Sequence, residues 1–212
     1  MPQHELSTSH KTPINDLDRV RRSVYRGAMA ASTGTYRLGP DAGRVVIKTT
    51  RAGLAARVGH DLTLDVTSWS ADITVPGDDL SAATVTAELD LGSLAVGAGT
   101  GGARPLTDSD RRDIESTMRK ILGAGAQAAA TFRSTRVIPS SVGGAIEGTL
   151  TLNGRSQPVR LQLTSPAQGR YRGTVTVVQS AFGIKPYSGF FGALKLRDEV
   201  VAEFEVDLSR AG

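Results

Sequence analysis

The residues best suited to chemistry in this chain centre on one histidine, His60, in the stretch GHDLTLDV. The chain has only three histidines, and the other two lie near its N-terminus. An imidazole beside the carboxylate of Asp61 fits three roles: general base, metal ligand, or polar contact for a bound molecule. Neighbours on a strand point to opposite faces, so both side chains face one site only if Gly59 opens a turn there.

The catalytic and metal-binding roles lack partners in the sequence. No Gly-x-Ser-x-Gly elbow or comparable nucleophile signature accompanies His60. The chain contains no cysteine, which excludes disulfides, thiolate metal sites and a cysteine nucleophile. The sequence therefore predicts no metal site, no cofactor and no catalytic residue, and it favours a structural or ligand-contacting His60.

A second group of useful side chains lies in AFGIKPYSGFFGALK, residues 181–195. Its aromatic residues, four of the ten in the chain, are Phe182, Tyr187, Phe190 and Phe191. Pro186 cannot donate to a sheet ladder, so we predict a loop or a broken edge strand here. This loop either plugs one end of the domain or forms a lid over an apolar ligand, with Lys185 and Tyr187 reaching the ligand's polar end.

Composition and charge indicate a soluble globular protein. The 212 residues are 39% hydrophobic and 22% charged, and the net charge of +4 does not indicate nucleic-acid binding. The first 33 residues are polar and lack the apolar core of a signal peptide. No stretch reaches the roughly 20 apolar residues of a membrane span. We expect a cytoplasmic location with at most peripheral membrane contact.

Most elements that position these residues are predicted to be strands. From residue 34 onward, apolar and polar residues alternate in about eight runs. One helix is predicted over about residues 107–122, inserted between strands, and a short helix is predicted within residues 13–30. Residues 1–33 are thus predicted to form a tail and residues 34–212 an all-β domain. Eight antiparallel strands favour a barrel, since closure removes exposed edges, and small aliphatic inner residues leave room for a cavity.

Local signals add detail to this outline. The alternation shifts by one residue near Ser68, which predicts a bulge or bend there. Asn153-Gly154 and Gln168-Gly169 predict tight turns between strands. Residues 95–106 are rich in glycine and are predicted to form a flexible loop.

The order of several motifs resembles the YceI-like family of lipocalin-like barrels. The motifs are GTYRLGPDAGRVVIKT, ATVTAELDLGSL, DSDRRDIESTM, AATFRSTRV, GTLTLNGRSQPVRL and SAFGIKPYSGFFGALKLRDEVVAEFEVDL, within residues 34–209. The resemblance implies an eight-stranded antiparallel barrel whose apolar interior holds a polyisoprenoid, an isoprenoid quinone or a fatty-acyl chain. It also implies that residues 51–61 and 182–191 border the pocket, and that residues 85–91 and 146–152 line it.

Together, these considerations predict the following ligand-binding residues: His60, Asp61, Arg51, Lys185, Tyr187, Phe182, Phe190, Phe191 and Leu89. The favoured function is non-enzymatic storage or transport of an extended apolar ligand. Two alternatives stay open: an enzyme acting on an apolar substrate with His60 as general base, and an interaction protein with a solid core. A homodimer is compatible with the sequence.

Overall fold

One curled antiparallel sheet makes up most of the fold. A computed structural model describes residues 33–77, 79–123 and 128–211. The elements are β1 (Gly34–Leu38), β2 (Gly43–Thr49), β3 (Arg51–Ala52), β4 (Asp61–Val66), β5 (Trp69–Val75), β6 (Thr84–Asp90), β7 (Leu94–Thr100), α1 (Asp108–Ile121), β8 (Ala129–Ser140), β9 (Gly143–Leu152), β10 (Arg155–Ala167), β11 (Arg170–Val178), β12 (Ser188–Gly189), β13 (Leu194–Leu196) and β14 (Glu199–Asp207). Strands β3, β12 and β13 form a small separate sheet.

The main sheet has eleven strands, so the predicted number of eight is wrong. Its order is β1-β5-β6-β8-β9-β10-β11-β14-β2-β4-β7. The difference arises because β1 is an additional strand, because residues 62–75 divide into β4 and β5, and because β7 lies in the segment predicted to be a loop. The chain breaks at corners between β1 and β2, between β4 and β5, and between β6 and β7. The two strands that meet at each corner lie toward opposite ends of the strand order, so the sheet must curl around an interior.

The predicted bend near Ser68 is the corner between β4 and β5. Val66 and Trp69 are both buried, whereas the two residues between them are exposed, because the chain turns there instead of continuing the pleat. The predicted tight turns are also found. Asn153 and Gly154 connect β9 to β10 with φ values of 51° and 70°, the left-handed pair that a two-residue hairpin turn requires.

The predicted inserted helix is confirmed as α1. The Thr107 hydroxyl accepts from the backbone amide of Asp110, and the Asp110 carboxylate accepts from the backbone amide of Thr107. This reciprocal capping box fixes where the helix begins. The apolar face of α1, including Ile114 and Met118, packs against the core. The helix predicted within residues 13–30 lies outside the described residues.

The glycine-rich segment is a strand in its first half, contrary to the prediction of a loop over residues 95–106. Strand β7 continues to Thr100 by pairing with β4. A Cβ at Gly97 would lie 2.2 Å from Oδ2 of Asp65, and one at Gly99 would lie 2.4 Å from Cδ1 of Leu106. At both positions the nearest atom is the end of a side chain, so glycine here lets Asp65 and Leu106 pack close to the strand.

The two faces of the sheet differ in character. The inner face is aliphatic, while the outer face carries ion pairs between neighbouring strands, such as Arg37 to Asp72 at 2.9 Å and Lys48 to Glu203 at 2.7 Å. Such exposed pairs contribute little to stability, so the inner face carries most of the energy of folding. Within the described ranges, no helix has the length and hydropathy needed to cross a membrane.

Candidate ligand-binding site

The curled sheet encloses a cavity of about 1010 Å³. This volume lies at the upper end of small-molecule pockets, which measure roughly 300–1,000 Å³. The lining comes from the inner faces of the main sheet, from α1 and from the loops at one end. Ala71 and Ala87 face each other across β5 and β6 and both line the cavity, so small side chains leave the space open. The interior is therefore not a solid core.

Several lining residues were not singled out in the sequence. Trp69 lines the cavity just after the corner of β4 and β5, and Ile114 and Met118 line it from α1. Thr49, at the end of β2, lines it as well. The helical residues carried a signal, since their spacing placed them on one apolar face. No sequence signal marked Thr49 as a lining residue, because a threonine among β-branched residues is typical of any strand.

His60 lies on the cavity wall, at the end covered by the small sheet and its loops. Its Nε2 lies 2.8 Å from the carbonyl oxygen of Arg104. A carbonyl can only accept, so Nε2 carries the proton and donates, which leaves Nδ1 as an acceptor. A Cβ at Gly102 would lie only 2.4 Å from Nε2, so glycine at that position makes room for the ring.

Asp61 and Arg51 hold the rim together and do not line the cavity. The Asp61 carboxylate accepts from the backbone amide of Arg51 at 2.7 Å. The Arg51 guanidinium donates to the carbonyl oxygens of Gly59 at 2.7 Å and Thr100 at 3.1 Å. These bonds connect β3, β4 and β7. His60 and Asp61 are therefore not brought together, because one faces the cavity and the other is used by the rim.

The aromatic segment 181–195 divides into a packed part and a rim part. Phe182 is 2% exposed and packs in a second core cluster with Val177 and Ile184. Tyr187 and Phe190 line the cavity, while Lys185 and Phe191 are exposed and do not. The ninth predicted residue, Leu89, lines the cavity from β6.

Residues 36–208 match the family described as the YceI-like domain. The chain belongs to the YceI-like family.

Two solved structures are similar to this YceI-like chain. The crystal structure of BcnA from Burkholderia cenocepacia is 16% identical, has a TM-score of 0.57, and the match covers 77% of this chain and 94% of BcnA. The structure of a polyisoprenoid-binding domain from Saccharophagus degradans, implicated in plant cell wall breakdown, is 12% identical with a TM-score of 0.48 and covers 83% and 99%. No curated protein matches the chain. At such identities, the likeness to BcnA shows the fold alone.

The polar groups in the cavity of this YceI-like protein are few. Thr49 is 8% exposed, and its Oγ1 is the one buried side-chain polar atom without a hydrogen-bond partner among the described residues. Burial raises the pKa of the Tyr171 hydroxyl, with a smaller contribution from Tyr36, so this cavity-lining phenol stays neutral. Arg104 lines the cavity with its charge compensated, since its guanidinium donates to both carboxylate oxygens of Asp110 at 2.9 and 3.0 Å.

The YceI-like chain shows no metal centre in the part that the structure describes. Across those ranges, no three His, Asp or Glu side chains come close enough together to hold a metal ion. What the arrangement can do is enclose a long apolar chain and offer a few hydrogen bonds at one end.

Proposed function

We propose that this YceI-like protein binds an extended, mostly apolar ligand inside the curled sheet and releases it unchanged. The observation that carries the proposal is the aliphatic cavity of about 1010 Å³. A chain of about fifteen buried methylenes contributes about 12 kcal/mol at about 0.8 kcal/mol each. The cost of association is about 4–15 kcal/mol, so only a long chain gives a gain of comparable size. Polyisoprenoids, isoprenoid quinones and fatty-acyl chains all meet this requirement.

The ligand's polar end is proposed to lie near Thr49, His60 and Tyr187. Thr49 pairs with Leu62, two residues beyond His60, so both side chains belong to the same end of the cavity. The backbone oxygen of Tyr187 accepts from Leu196 of β13, which connects this residue to the same rim. The three side chains offer a hydroxyl, the Nδ1 acceptor and a phenol to one ligand end group.

We further propose that this end group is neutral. The lining cation Arg104 is already paired with Asp110, and the carboxylate of Asp113 lines the same region. A buried ligand carboxylate or phosphate would therefore meet no uncompensated cation there, and burying an unpaired charge is costly. A hydroxyl, a quinone carbonyl, an ester or an amide suits the site better.

Native mass spectrometry of the purified protein tests this proposal. We expect co-purifying lipid, and we expect added octadecanol to bind more tightly than octadecanoate of the same chain length. Absence of any bound lipid, together with no binding of either probe, would contradict the proposed function. Tighter binding of octadecanoate than of octadecanol would contradict the proposed neutral end group but not the proposed binding of an apolar ligand.

The same spectra examine the enzymatic alternative, which the free Nδ1 of His60 favours. A general base needs such an acceptor within about 3 Å of its target proton. Chemical change of the bound lipid on incubation, removed by His60→Gln while binding persists, would replace the binding function with catalysis. We expect the lipid to be recovered unchanged.

A further inference from the structure

Four large apolar side chains are exposed on the rim of the cavity. They are Leu54 at 99% exposure, Val58 at 52%, Phe190 at 68% and Phe191, which is fully exposed. Their two segments are joined, since the backbone amide of Ala55 donates to the carbonyl oxygen of Ala193 at 2.9 Å and β3 pairs with β13. We call these four residues the rim patch. Large apolar side chains exposed together on one part of a surface mark interaction sites.

The backbone at the two phenylalanines adds a second, independent observation. Phe190 and Phe191 have φ values of 51° and 54°, in the left-handed region that bulky residues rarely adopt. Asparagine adopts this region more readily and is also better suited to water. The chain therefore keeps two aromatic rings at positions where both solvation and backbone geometry favour a small polar residue. Strain of this kind concentrates at functional sites.

Positive charge surrounds the rim patch. Residues 53–58 and 185–197 contain four exposed cations, Arg57, Lys185, Lys195 and Arg197, and no Asp or Glu. These four charges equal the formal net charge of the whole chain, +4. The two segments that carry the rim patch are therefore positively charged, and the nearest acidic residue in sequence, Asp198, directly follows Arg197.

We propose that the rim patch docks on an anionic lipid bilayer, with its apolar side chains inserted among the headgroups and its cations facing lipid phosphates. Apolar insertion and charge attraction together are what interfacial anchors require. Val58 and Phe190 also line the cavity, so docking would place its mouth against the lipid from which an apolar ligand comes. A second copy of this chain fits less well, because a twofold interface would bring the same four cations face to face.

This inference goes beyond the proposed function and is tested separately from it. The full-length protein is sedimented with phosphatidylcholine vesicles, with and without phosphatidylglycerol as the anionic lipid. We expect binding to the anionic vesicles that weakens when salt is added, because screening reduces charge attraction. The double variant Phe190→Asn and Phe191→Asn should lower the bound fraction about tenfold or more, since two buried aromatic groups are lost. The N-terminal segment is common to all variants, so it does not affect the comparison.

Matched variants separate insertion from general loss of structure. Val142→Asn removes a side chain that is 72% exposed between β8 and β9, away from the rim, and should leave vesicle binding unchanged. The two asparagine substitutions should keep or raise the melting temperature, because they relieve the backbone. Phe191→Asn alone should weaken vesicle binding but leave octadecanol binding intact, since Phe191 does not line the cavity.

Three results would overturn the proposal. One is a wild-type protein that does not sediment with anionic vesicles. Another is a double variant that binds vesicles as well as the wild type does. The third is a dimer that the double variant disrupts, without vesicle binding, which would assign the rim patch to a second copy. None of these depends on whether a lipid occupies the cavity.

Discussion

Thr49 shows at the scale of one residue how binding and stability oppose each other. Its Oγ1 is buried on the cavity wall without a hydrogen-bond partner among the described residues. An unsatisfied buried hydroxyl costs about 1–3 kcal/mol. Thr49 therefore makes the empty protein less stable and gives a ligand oxygen more to gain by binding.

Thr49→Val keeps the shape of the side chain and removes its hydroxyl. We expect the free energy of unfolding in urea to rise by about 1 kcal/mol. We also expect calorimetry to show octadecanol binding weakened about fivefold, since a net hydrogen bond is worth about 1 kcal/mol. Thr176→Val is the matched control, because Thr176 lies in β11 with an exposed side chain, and it should change neither quantity. A less stable Thr49→Val protein with unchanged octadecanol affinity would contradict this view of Thr49.

Individual residues also show how much of the site could be predicted from the sequence. The absence of partners in the sequence turned attention from catalysis to ligand contact for His60, and the structure places this residue on the cavity wall. Its hydrogen-bond acceptor, the carbonyl of Arg104, lies 44 positions away, and no local pattern could predict that pairing. Arg51 and Asp61 were predicted as ligand contacts from the family resemblance of residues 51–61, and in the structure both make hydrogen bonds at the rim.

At the scale of elements, local signals predicted local structure well. Helix α1 and the tight turns depend on neighbouring residues, and the structure has both. The division of residues 62–75 into two strands, and the additional strands β1 and β7, depend on pairing with distant strands, so eight predicted strands became eleven. Strand β7 also depends on its partner, because pairing with β4 outweighs the weak strand preference of its glycines.

The start of α1 should give helix stability a defined dependence on pH. The Thr107 hydroxyl and backbone amide, with Arg104, hold the pKa of the Asp110 carboxyl well below its usual range. A lowered folded-state pKa means that the stabilisation is complete above the unfolded pKa, about 3.9, and is lost as the pH falls toward the folded pKa. We expect Asp110→Asn to be less stable than the wild type at neutral pH, with the difference shrinking below about pH 4.

Thermal unfolding of both proteins across an acid pH series measures that difference. Asp108→Asn removes a carboxylate from the same helical turn but leaves the capping box intact. It should therefore change stability only through the loss of a negative charge near the helix N-terminus. A difference between wild type and Asp110→Asn that grows on acidification would show that the capping box does not set this dependence.

For the whole molecule, the sequence pattern predicted an all-β barrel, and the structure has an all-β curled sheet with β1 and β7 at its two ends. The size of the interior was not predicted. Alternation along each run established which residues face inward, and that part of the prediction follows from the geometry of a strand. The volume depends on which small residues meet across the sheet, such as Ala71 opposite Ala87, and that register was not readable from a single run. The cavity therefore depends on strand pairing, because it forms where small side chains lie opposite each other on paired strands.

Filling the space where Ala71 and Ala87 meet should weaken lipid binding without unfolding the protein. We expect a saturating lipid at about 100 times its Kd to stabilise the wild type by about 2.7 kcal/mol, a rise in Tm of roughly 5–10 °C for a domain of this size. Ala87→Phe places a ring in the cavity, so its Tm without lipid should equal or exceed that of the wild type, while the rise with octadecanol becomes smaller. Glu88→Phe adds the same ring at the next, exposed position of β6 and should keep the full rise. If octadecanol raises the Tm of Ala87→Phe as much as that of the wild type, the bound chain does not pass the point where Ala71 and Ala87 meet, which would contradict this prediction.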